Sequence, residues 1–127
     1  MEEKIVFQTN KAAVTGGPYS QAIIHNGIIY VSGMGAVDPQ TNEIKLGTVE
    51  EEAELALENL RIILEEAGSS LDKVLTVTVY LLDIGEYTRF NEVYEKSFKT
   101  DRPARTCIQA GSLPFNTRVE ITGTAYI

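Results

Sequence analysis

The first clear pattern in the chain is a pair of apolar stretches between Ala22 and Tyr30 that flank Asn26-Gly27. Asn-Gly suits a two-residue hairpin turn because both positions tolerate a positive φ angle. Glycine-containing, irregular sequence begins where the second stretch ends, near Ser32. The pattern therefore predicts two antiparallel strands followed by a loop, and loops at strand ends often carry functional sites.

Two helices are predicted by apolar residues that recur every three or four positions. Thr48 and Glu51 form a capping-box sequence, and the periodic run that follows them stops at Gly68. Asp83 and Glu86 offer a second cap, and the helix after them ends before the Asp-Arg-Pro turn. The inward stripe of this second helix consists of Phe90, Val93, Tyr94 and Phe98.

The remaining apolar segments are rich in β-branched residues and predict strands. The segment from Val74 to Leu82 is apolar on both faces, which is typical of a central strand buried on both sides. Two more strands, at about Arg105 to Ala110 and Arg118 to Ile127, end the chain. The order strand, hairpin, helix, strand, helix, strand, strand predicts an α+β fold with a mixed sheet and two helices on one face. We expect self-association because the other face has no covering layer within the chain.

Length and charge narrow the function. The 127 residues have room for one domain, 1–127, so a large active site would be shallow or shared between chains. A net charge of −7 without a basic cluster argues against a nucleic-acid partner. The acidic start precedes no long apolar run, which predicts a cytoplasmic protein without a membrane span. Cys107 is the only cysteine and His25 the only histidine, so we expect no disulfide, no metal site and no cofactor.

Arg105 is the strongest candidate for binding chemistry. The segment Arg102-Pro103-Ala104-Arg105-Thr106-Cys107 places it at a strand start after a proline-stiffened turn, with Cys107 on the same strand face. A guanidinium there can hold a carboxylate through two parallel hydrogen bonds. The structural alternative, which is more frequent on pattern alone, is an arginine that is solvated or paired with a nearby glutamate.

Several separated motifs extend over nearly the full chain. They are Gly17-Pro18-Tyr19-Ser20-Gln21, Val31-Ser32-Gly33, Asn91-Glu92-Val93-Tyr94, Pro103-Ala104-Arg105-Thr106-Cys107, Leu113-Pro114 and Val119-Glu120-Ile121. In content and order they resemble the RidA/YjgF family of small enamine and imine deaminases. Each motif also coincides with an element predicted above, which makes the resemblance far more specific than a lone short motif.

The resemblance implies a chorismate-mutase-like homotrimer with three clefts between subunits. Its implied reaction is hydrolysis of a reactive 2-imino acid, such as 2-iminobutanoate or 2-iminopropanoate, to a 2-oxo acid and ammonia. In that family Arg105 would hold the substrate carboxylate, and Glu120 would orient the attacking water. The other residues that would line or support the cleft are Tyr19, Ser32, Gly33, Asn91 and Cys107.

Each of these residues also has a structural interpretation. Tyr19 could be a surface aromatic ring, Ser32-Gly33 a strand terminus, and Asn91 a solvent-facing amide. Glu120 shares a strand face with Arg118, so an ion pair is its alternative role. Cys107 has no base near it in the sequence, which favours packing and cleft lining over a nucleophilic role.

Met34 is a departure from the family pattern, because it stands where members commonly carry glutamine. A thioether in place of an amide changes the hydrogen bonds at the cleft mouth and the substrate side chains that are preferred.

Two other functions stay open beside hydrolysis. One is a non-catalytic trimer that binds small carboxylates or docks on a partner protein. The other is the ribonuclease activity attached to the family name, which the net charge and the scarcity of bases argue against. Arg105 in its full motif favours the enzyme, and ammonia release from imino acids would discriminate the first two functions.

Overall fold

The computed structural model describes residues 3–127, which contain one six-stranded mixed sheet and two α-helices. The strands are β1 (Ile5–Phe7), β2 (Ala22–His25), β3 (Ile28–Met34), β4 (Val74–Leu81), β5 (Ala104–Gln109) and β6 (Val119–Tyr126). The helices are α1 (Val49–Glu66) and α2 (Tyr87–Ser97), and short 3-10 turns occupy Leu71–Lys73, Ile84–Glu86 and Pro114–Asn116. The predicted α+β element order is confirmed.

The strands lie in the order β1-β2-β3-β6-β4-β5. Only β4 and β5 are parallel, and every other neighbouring pair is antiparallel. A parallel pair requires a crossover, and α2 supplies it. The crossover places α2 beside the edge strand β5, where the arginine motif lies.

Local sequence signals determine the predicted hairpin and the ends of α1. Asn26 and Gly27 have φ angles of 51° and 75°, as the turn between β2 and β3 requires. The Thr48 side chain accepts a hydrogen bond from the Glu51 backbone, and the Glu51 carboxylate accepts one from the Thr48 backbone. Gly68 follows the helix with a φ of 89°. All three predictions are confirmed.

The second cap differs from its prediction. Asp83 accepts from the backbone N–H of Gly85 at 2.8 Å, so it caps the 3-10 turn that precedes α2. The helix itself begins at Tyr87, and the residue before it, Glu86, makes no capping hydrogen bond through its side chain. The extra turn places Asp83 too far from the first turn of α2 to reach its free N–H groups.

The core lies between the sheet and the two helices. Its strand residues alternate along β4 and β6, and Val77, Val79, Leu81 and Ile121 are buried. The prediction that β4 is buried on both sides is wrong for the single chain. An irregularity after Val74 leaves Leu75 43 % exposed, and Thr76 on the side away from the helices is also exposed. We call this side of the sheet the open face.

Two buried amides hold the loop that precedes β2. The Gln21 amide nitrogen donates to the Ala13 carbonyl at 2.6 Å, and its oxygen accepts from the Thr9 backbone at 2.7 Å. From α1, Asn59 accepts from the Ala13 backbone at 2.7 Å and donates to the Val37 carbonyl at 2.8 Å. One helix side chain therefore fixes both the loop before β2 and the loop after β3, and these loops form the walls of a pocket described below.

Candidate active site

Arg105 lies on the helix side of the sheet. It is in register with Val77, which is 2 % exposed, and side chains directly opposite each other in a sheet point to the same face. Its guanidinium carbon lies 4.6 Å from the ring centroid of Tyr94, 5.4 Å from that of Tyr87 and 5.9 Å from that of Phe90. These three residues share one face of α2, and we call them the aromatic cradle.

The cradle holds the guanidinium without neutralising it. Nη2 of Arg105 donates to the Tyr87 hydroxyl at 3.0 Å, and the rings add cation–π attraction. Within residues 3–127, Arg105 makes no ion pair, whereas Arg61, Arg89 and Arg118 each contact a glutamate. The other N–H donors of Arg105 are therefore available to an anionic ligand, and their planar arrangement matches a carboxylate.

A pocket of about 300 Å³, the arginine pocket, opens beside this guanidinium. Its walls are Asn91, Tyr94, Glu95, Arg102, Pro103 and Arg105. The Asn91 side-chain oxygen and the Tyr94 hydroxyl are buried without a hydrogen-bond partner among residues 3–127. Buried polar atoms are nearly always paired, so a ligand that donates to Asn91 and contacts Tyr94 would complete this site. The predicted solvent-facing role of Asn91 is not found for its oxygen.

The protonation state of Tyr94 suits that arrangement. Burial raises the pKa of the Tyr94 hydroxyl, while the positive charges of Arg105 and Arg102 act in the opposite direction. The phenol is therefore neutral at physiological pH and remains a hydrogen-bond donor.

Cys107 lies next to Arg105 on the same face of β5, in register with the buried Val79. Burial raises the pKa of its thiol, and the nearby Arg105 charge opposes this increase. The chain's only histidine, His25, is on β2, four strand spacings or about 19 Å across the sheet. A neutral thiol without a base is a poor nucleophile, and Cys107 packs against the hydrophobic core and lines neither the arginine pocket nor the second pocket described below.

Glu120 lies on the open face of β6, opposite Tyr80 and between two buried neighbours in the strand. Its carboxylate contacts Gly33 so closely that a methyl group at Gly33 would lie 2.5 Å from Oε2. A side chain at position 33 would therefore displace the carboxylate from this place, whereas glycine permits the close approach. Burial raises the pKa of Glu120 because the charged form is poorly solvated.

The Glu120 carboxylate makes no ion pair in the described part of the chain. The alternative partner predicted from the sequence, Arg118, instead contacts Glu86 at 3.4 Å and donates to the Gly47 carbonyl at 3.1 Å. Glu120 is thus a half-buried carboxylate without a cation beside it, which is an unfavourable arrangement unless a ligand or a bound water uses it.

A second pocket, of about 450 Å³, contains this carboxylate, and we call it the glutamate pocket. Tyr19, Gly33 and Glu120 all line it, together with Met34 from the end of β3 and Phe115 from the turn before β6. The structure therefore brings together three of the residues that the sequence predicted.

Ser32 supports this pocket from outside. Its hydroxyl donates to the Ser20 carbonyl at 2.6 Å, and its backbone N–H donates to Gln21 at 3.0 Å. Ser32 and Gly33 lie where the pairing of β3 with β6 is irregular, between Val31 and Met34. Ser32 thus ties the strand to the loop that carries Tyr19.

The Arg105 and Glu120 side chains lie on opposite faces of the sheet. Arg105 shares the helix side with Val77, while Glu120 is in register with Tyr80, one position out of phase with Val77 and Val79. Because side chains alternate along a strand, a single chain does not bring this guanidinium and this carboxylate together. A site that uses both on one substrate needs a second copy of the chain.

The family follows from comparison with known proteins. A model of the family described as endoribonuclease L-PSP matches residues 9–127. This chain belongs to the RidA/YjgF family. The human 2-iminobutanoate/2-iminopropanoate deaminase is 41 % identical over 94 % of this chain and 88 % of its own length. A RutC family protein of Pyrococcus abyssi is 41 % identical over 99 % of this chain and 98 % of its own.

Solved structures of similar proteins share the fold. RidA from an Antarctic Psychrobacter is 36 % identical, with a TM-score of 0.92 over 97 % of this chain and 99 % of that one. Escherichia coli TdcF, solved with bound serine, is 32 % identical, with a TM-score of 0.91 over 97 % and 98 %. The fold with one mixed sheet and two helices is therefore that of the RidA family.

In the part of this RidA-family chain that the structure describes, no group of three or more His, Cys, Asp and Glu side chains is placed to hold a metal ion. Neither of its α-helices combines the length and the apolar character that crossing a bilayer requires.

Sequence reasoning did not assign Tyr87, Tyr94 or Phe115 to the site. Tyr87 and Tyr94 belong to the cradle, and their spacing from Phe90 indicated a shared helix face but not a contact with Arg105. That contact depends on the crossover between β4 and β5. Phe115 follows a leucine-proline motif, and nothing in the sequence indicates its backbone conformation or its place in the glutamate pocket.

Proposed function

We propose that this RidA-family protein hydrolyses 2-imino acids such as 2-iminobutanoate and 2-iminopropanoate to 2-oxo acids and ammonia. The cleft consists of the arginine pocket of one copy and the glutamate pocket of the next copy in a cyclic, chorismate-mutase-like homotrimer. The observation that carries this proposal is an unpaired guanidinium and an unpaired carboxylate on opposite faces of one sheet. Cyclic symmetry unites the two pockets at each of three interfaces.

The arginine pocket selects the substrate. Arg105 binds the carboxylate through two parallel hydrogen bonds, and the cradle keeps the guanidinium plane fixed before the substrate arrives. The unpaired Asn91 oxygen accepts a hydrogen bond from the imine N–H. The bound serine of TdcF and the name of the human relative support a small ligand with a carboxylate next to a nitrogen-bearing carbon.

The glutamate pocket supplies the water. Its half-buried carboxylate accepts a proton as water attacks the imine carbon, and burial makes this carboxylate a stronger base than an exposed glutamate. That proton passes to the nitrogen and gives a carbinolamine, which carries a hydroxyl and an amino group on the same carbon. The carboxylate then transfers the hydroxyl proton to the amino group as the carbonyl forms, the carbon–nitrogen bond breaks, and ammonia leaves. One imino acid and one water yield one 2-oxo acid and one ammonia. No covalent intermediate or cofactor is needed, because positioning two reactants already lowers the barrier substantially.

A second candidate function is binding of small carboxylates without turnover, and the bound serine of TdcF favours it. The two candidates differ in ammonia release from imino acids made in situ by an amino-acid oxidase. Ribonuclease activity, which the family description names, has less support. The net charge of −7 opposes binding to a polyanion.

The shared cleft makes a prediction about mixed trimers. Arg105→Ala and Glu120→Gln should each be nearly inactive alone, because every cleft lacks one group. After the two variants are unfolded and refolded together in equal amounts, about a quarter of the clefts should contain both groups, since each cleft draws on two copies. We therefore expect ammonia release to recover to about a quarter of the wild-type rate.

Two controls make the mixing experiment decisive. Each variant refolded alone should stay inactive, and sedimentation should show a trimer for every sample. If both groups acted from the same chain, mixing would restore nothing. That outcome, or a fully active stable monomer, would contradict the shared cleft.

For Cys107 we expect that substitution leaves most of the activity intact. Cys107→Ala and Cys107→Ser should each keep most of the wild-type ammonia release, because the thiol is neutral and has no base beside it. Steady-state rates for both variants check this expectation. Mass spectrometry of the wild-type protein during turnover is the complementary measurement, and a substrate adduct at Cys107 would reverse the assignment.

A further inference from the structure

Phe115 occupies an unfavourable backbone conformation on the surface. Its φ angle is 60°, the next residue Asn116 also has a φ of 60°, and both lie in the 3-10 turn before β6. A bulky aromatic residue rarely adopts this left-handed region, whereas asparagine tolerates it. The Phe115 side chain is 72 % exposed, so packing within the chain does not compensate for the strain. Strain of this kind that packing leaves uncompensated points to a functional contact.

The ring of Phe115 lines the glutamate pocket. Three other large and exposed apolar side chains line the same pocket, namely Val14, Tyr19 and Ile44, at 48 %, 54 % and 40 % exposure. A rim of exposed apolar groups around a pocket is typical of a site for an apolar ligand group. Glu120 lies in the same pocket, so an apolar group held there is next to the carboxylate that directs the water.

We propose that Phe115 is a specificity-determining residue that, with Tyr19, makes the site prefer 2-imino acids with a large apolar or aromatic side chain. This inference rests on the proposed function. Arg105 of the neighbouring copy fixes the substrate carboxylate, so the substrate side chain extends into the glutamate pocket. The pocket volume of about 450 Å³ accommodates a benzyl group. Aromatic rings prefer offset or edge-to-face contacts with one another, which an exposed Phe115 ring offers to such a side chain.

The substitution Phe115→Gly tests this role because it removes the ring and relieves the backbone strain together. Ammonia release is measured with the imines derived from phenylalanine and from alanine. We expect the ratio of the two kcat/KM values, aromatic over small, to fall by about tenfold, the loss expected for one aromatic contact. The melting temperature should rise, because glycine adopts a positive φ without penalty.

A binding measurement tests the preference for an aromatic side chain without turnover. Calorimetry with the stable products phenylpyruvate and pyruvate should show tighter binding of phenylpyruvate to the wild-type protein. The Phe115→Gly protein should lose most of this difference. The matched control is Asn116→Gly, which relaxes the neighbouring left-handed residue but keeps the ring, and it should leave both the kinetic ratio and the binding difference unchanged.

Three outcomes would overturn the proposal. One is an unchanged kinetic ratio in Phe115→Gly, and another is a loss of the ratio in Asn116→Gly as well. The third is an equal loss on both substrates with a weakened trimer in sedimentation, which would make Phe115 an interface residue. A wild-type protein that hydrolyses neither imine refutes the proposed function instead, and the product-binding difference then still decides whether Phe115 selects an aromatic ligand.

Discussion

The substitution Arg105→Lys should remove nearly all imine hydrolysis although it keeps the positive charge. An ammonium group is a point charge that cannot form the two parallel hydrogen bonds of a guanidinium, and it does not stack on the aromatic cradle through a planar face. A substrate misplaced by about 1 Å already costs about 10²-fold in rate. We therefore expect kcat/KM for any 2-imino acid to fall by at least about 10²-fold.

Arg89→Lys is the matched control for that experiment. Arg89 is also on α2, but it is half-exposed, pairs with Glu50 at 2.7 Å and lines neither pocket. An exposed pair of this kind contributes about 0–1 kcal/mol, so kcat/KM should stay close to the wild-type value. Binding of pyruvate should be lost in Arg105→Lys and kept in Arg89→Lys. A near-normal rate in Arg105→Lys would remove the central claim.

The fold was predictable where its signals are local. Asn26-Gly27 specifies a turn with two positive φ angles, and Thr48 with Glu51 specifies a helix start, and both act within four residues. Propensity and periodicity are sufficient for such elements because few competing conformations satisfy the same residues. Asp83 shows the limit of this reasoning, since one inserted 3-10 turn is enough to shift it from the helix to the turn.

The site was predictable only in part, because it depends on strand register. Alternation placed Arg105 and Cys107 on one face of β5, as observed. Their contacts, however, depend on which face α2 covers. β5 and β6 follow each other in sequence, but β4 lies between them in the sheet. Whether Arg105 and Glu120 lie on the same face or on opposite faces therefore depends on two registers, that of β4 with β5 and that of β4 with β6. A one-residue slip in either register would reverse the result.

The resemblance to a known family indicated which residues share a site, which could not be predicted without the strand registers. It included Tyr19, Gly33 and Glu120 among the residues of one cleft, although these three come from a loop, an irregular strand end and a distant strand. It gave no indication of Phe115 or of the cradle residue Tyr87. Both contribute contacts that depend on the local backbone and on the crossover, rather than on a recognisable motif.

The substitution Glu120→Gln should lower turnover by about 10²-fold while the protein becomes more stable at neutral pH. Glutamine keeps the size of the side chain but cannot accept a proton from the attacking water. The wild-type rate should fall as pH is lowered through the raised pKa of Glu120, because protonation removes the base. This acidic limb should be absent from the residual activity of Glu120→Gln, and a pH–rate profile of both proteins checks it.

The stability of Glu120→Gln shows whether Glu120 is an unpaired catalytic base or a member of a structural ion pair. Because the pKa of Glu120 is raised in the folded state, the folded protein binds more protons than the unfolded chain between the ordinary glutamate value and the raised value. The charged form therefore destabilises the fold above that window, and this penalty disappears as pH falls below about 4.3. Glutamine has no such penalty, so its melting temperature should exceed that of the wild type at pH 7 and approach it at pH 4. An ion-paired Glu120 has a lowered pKa, for which the sign is opposite: the variant would be less stable at pH 7. Unchanged turnover together with a lowered melting temperature would therefore refute the role of Glu120 in directing water and leave Arg105 to act with other groups.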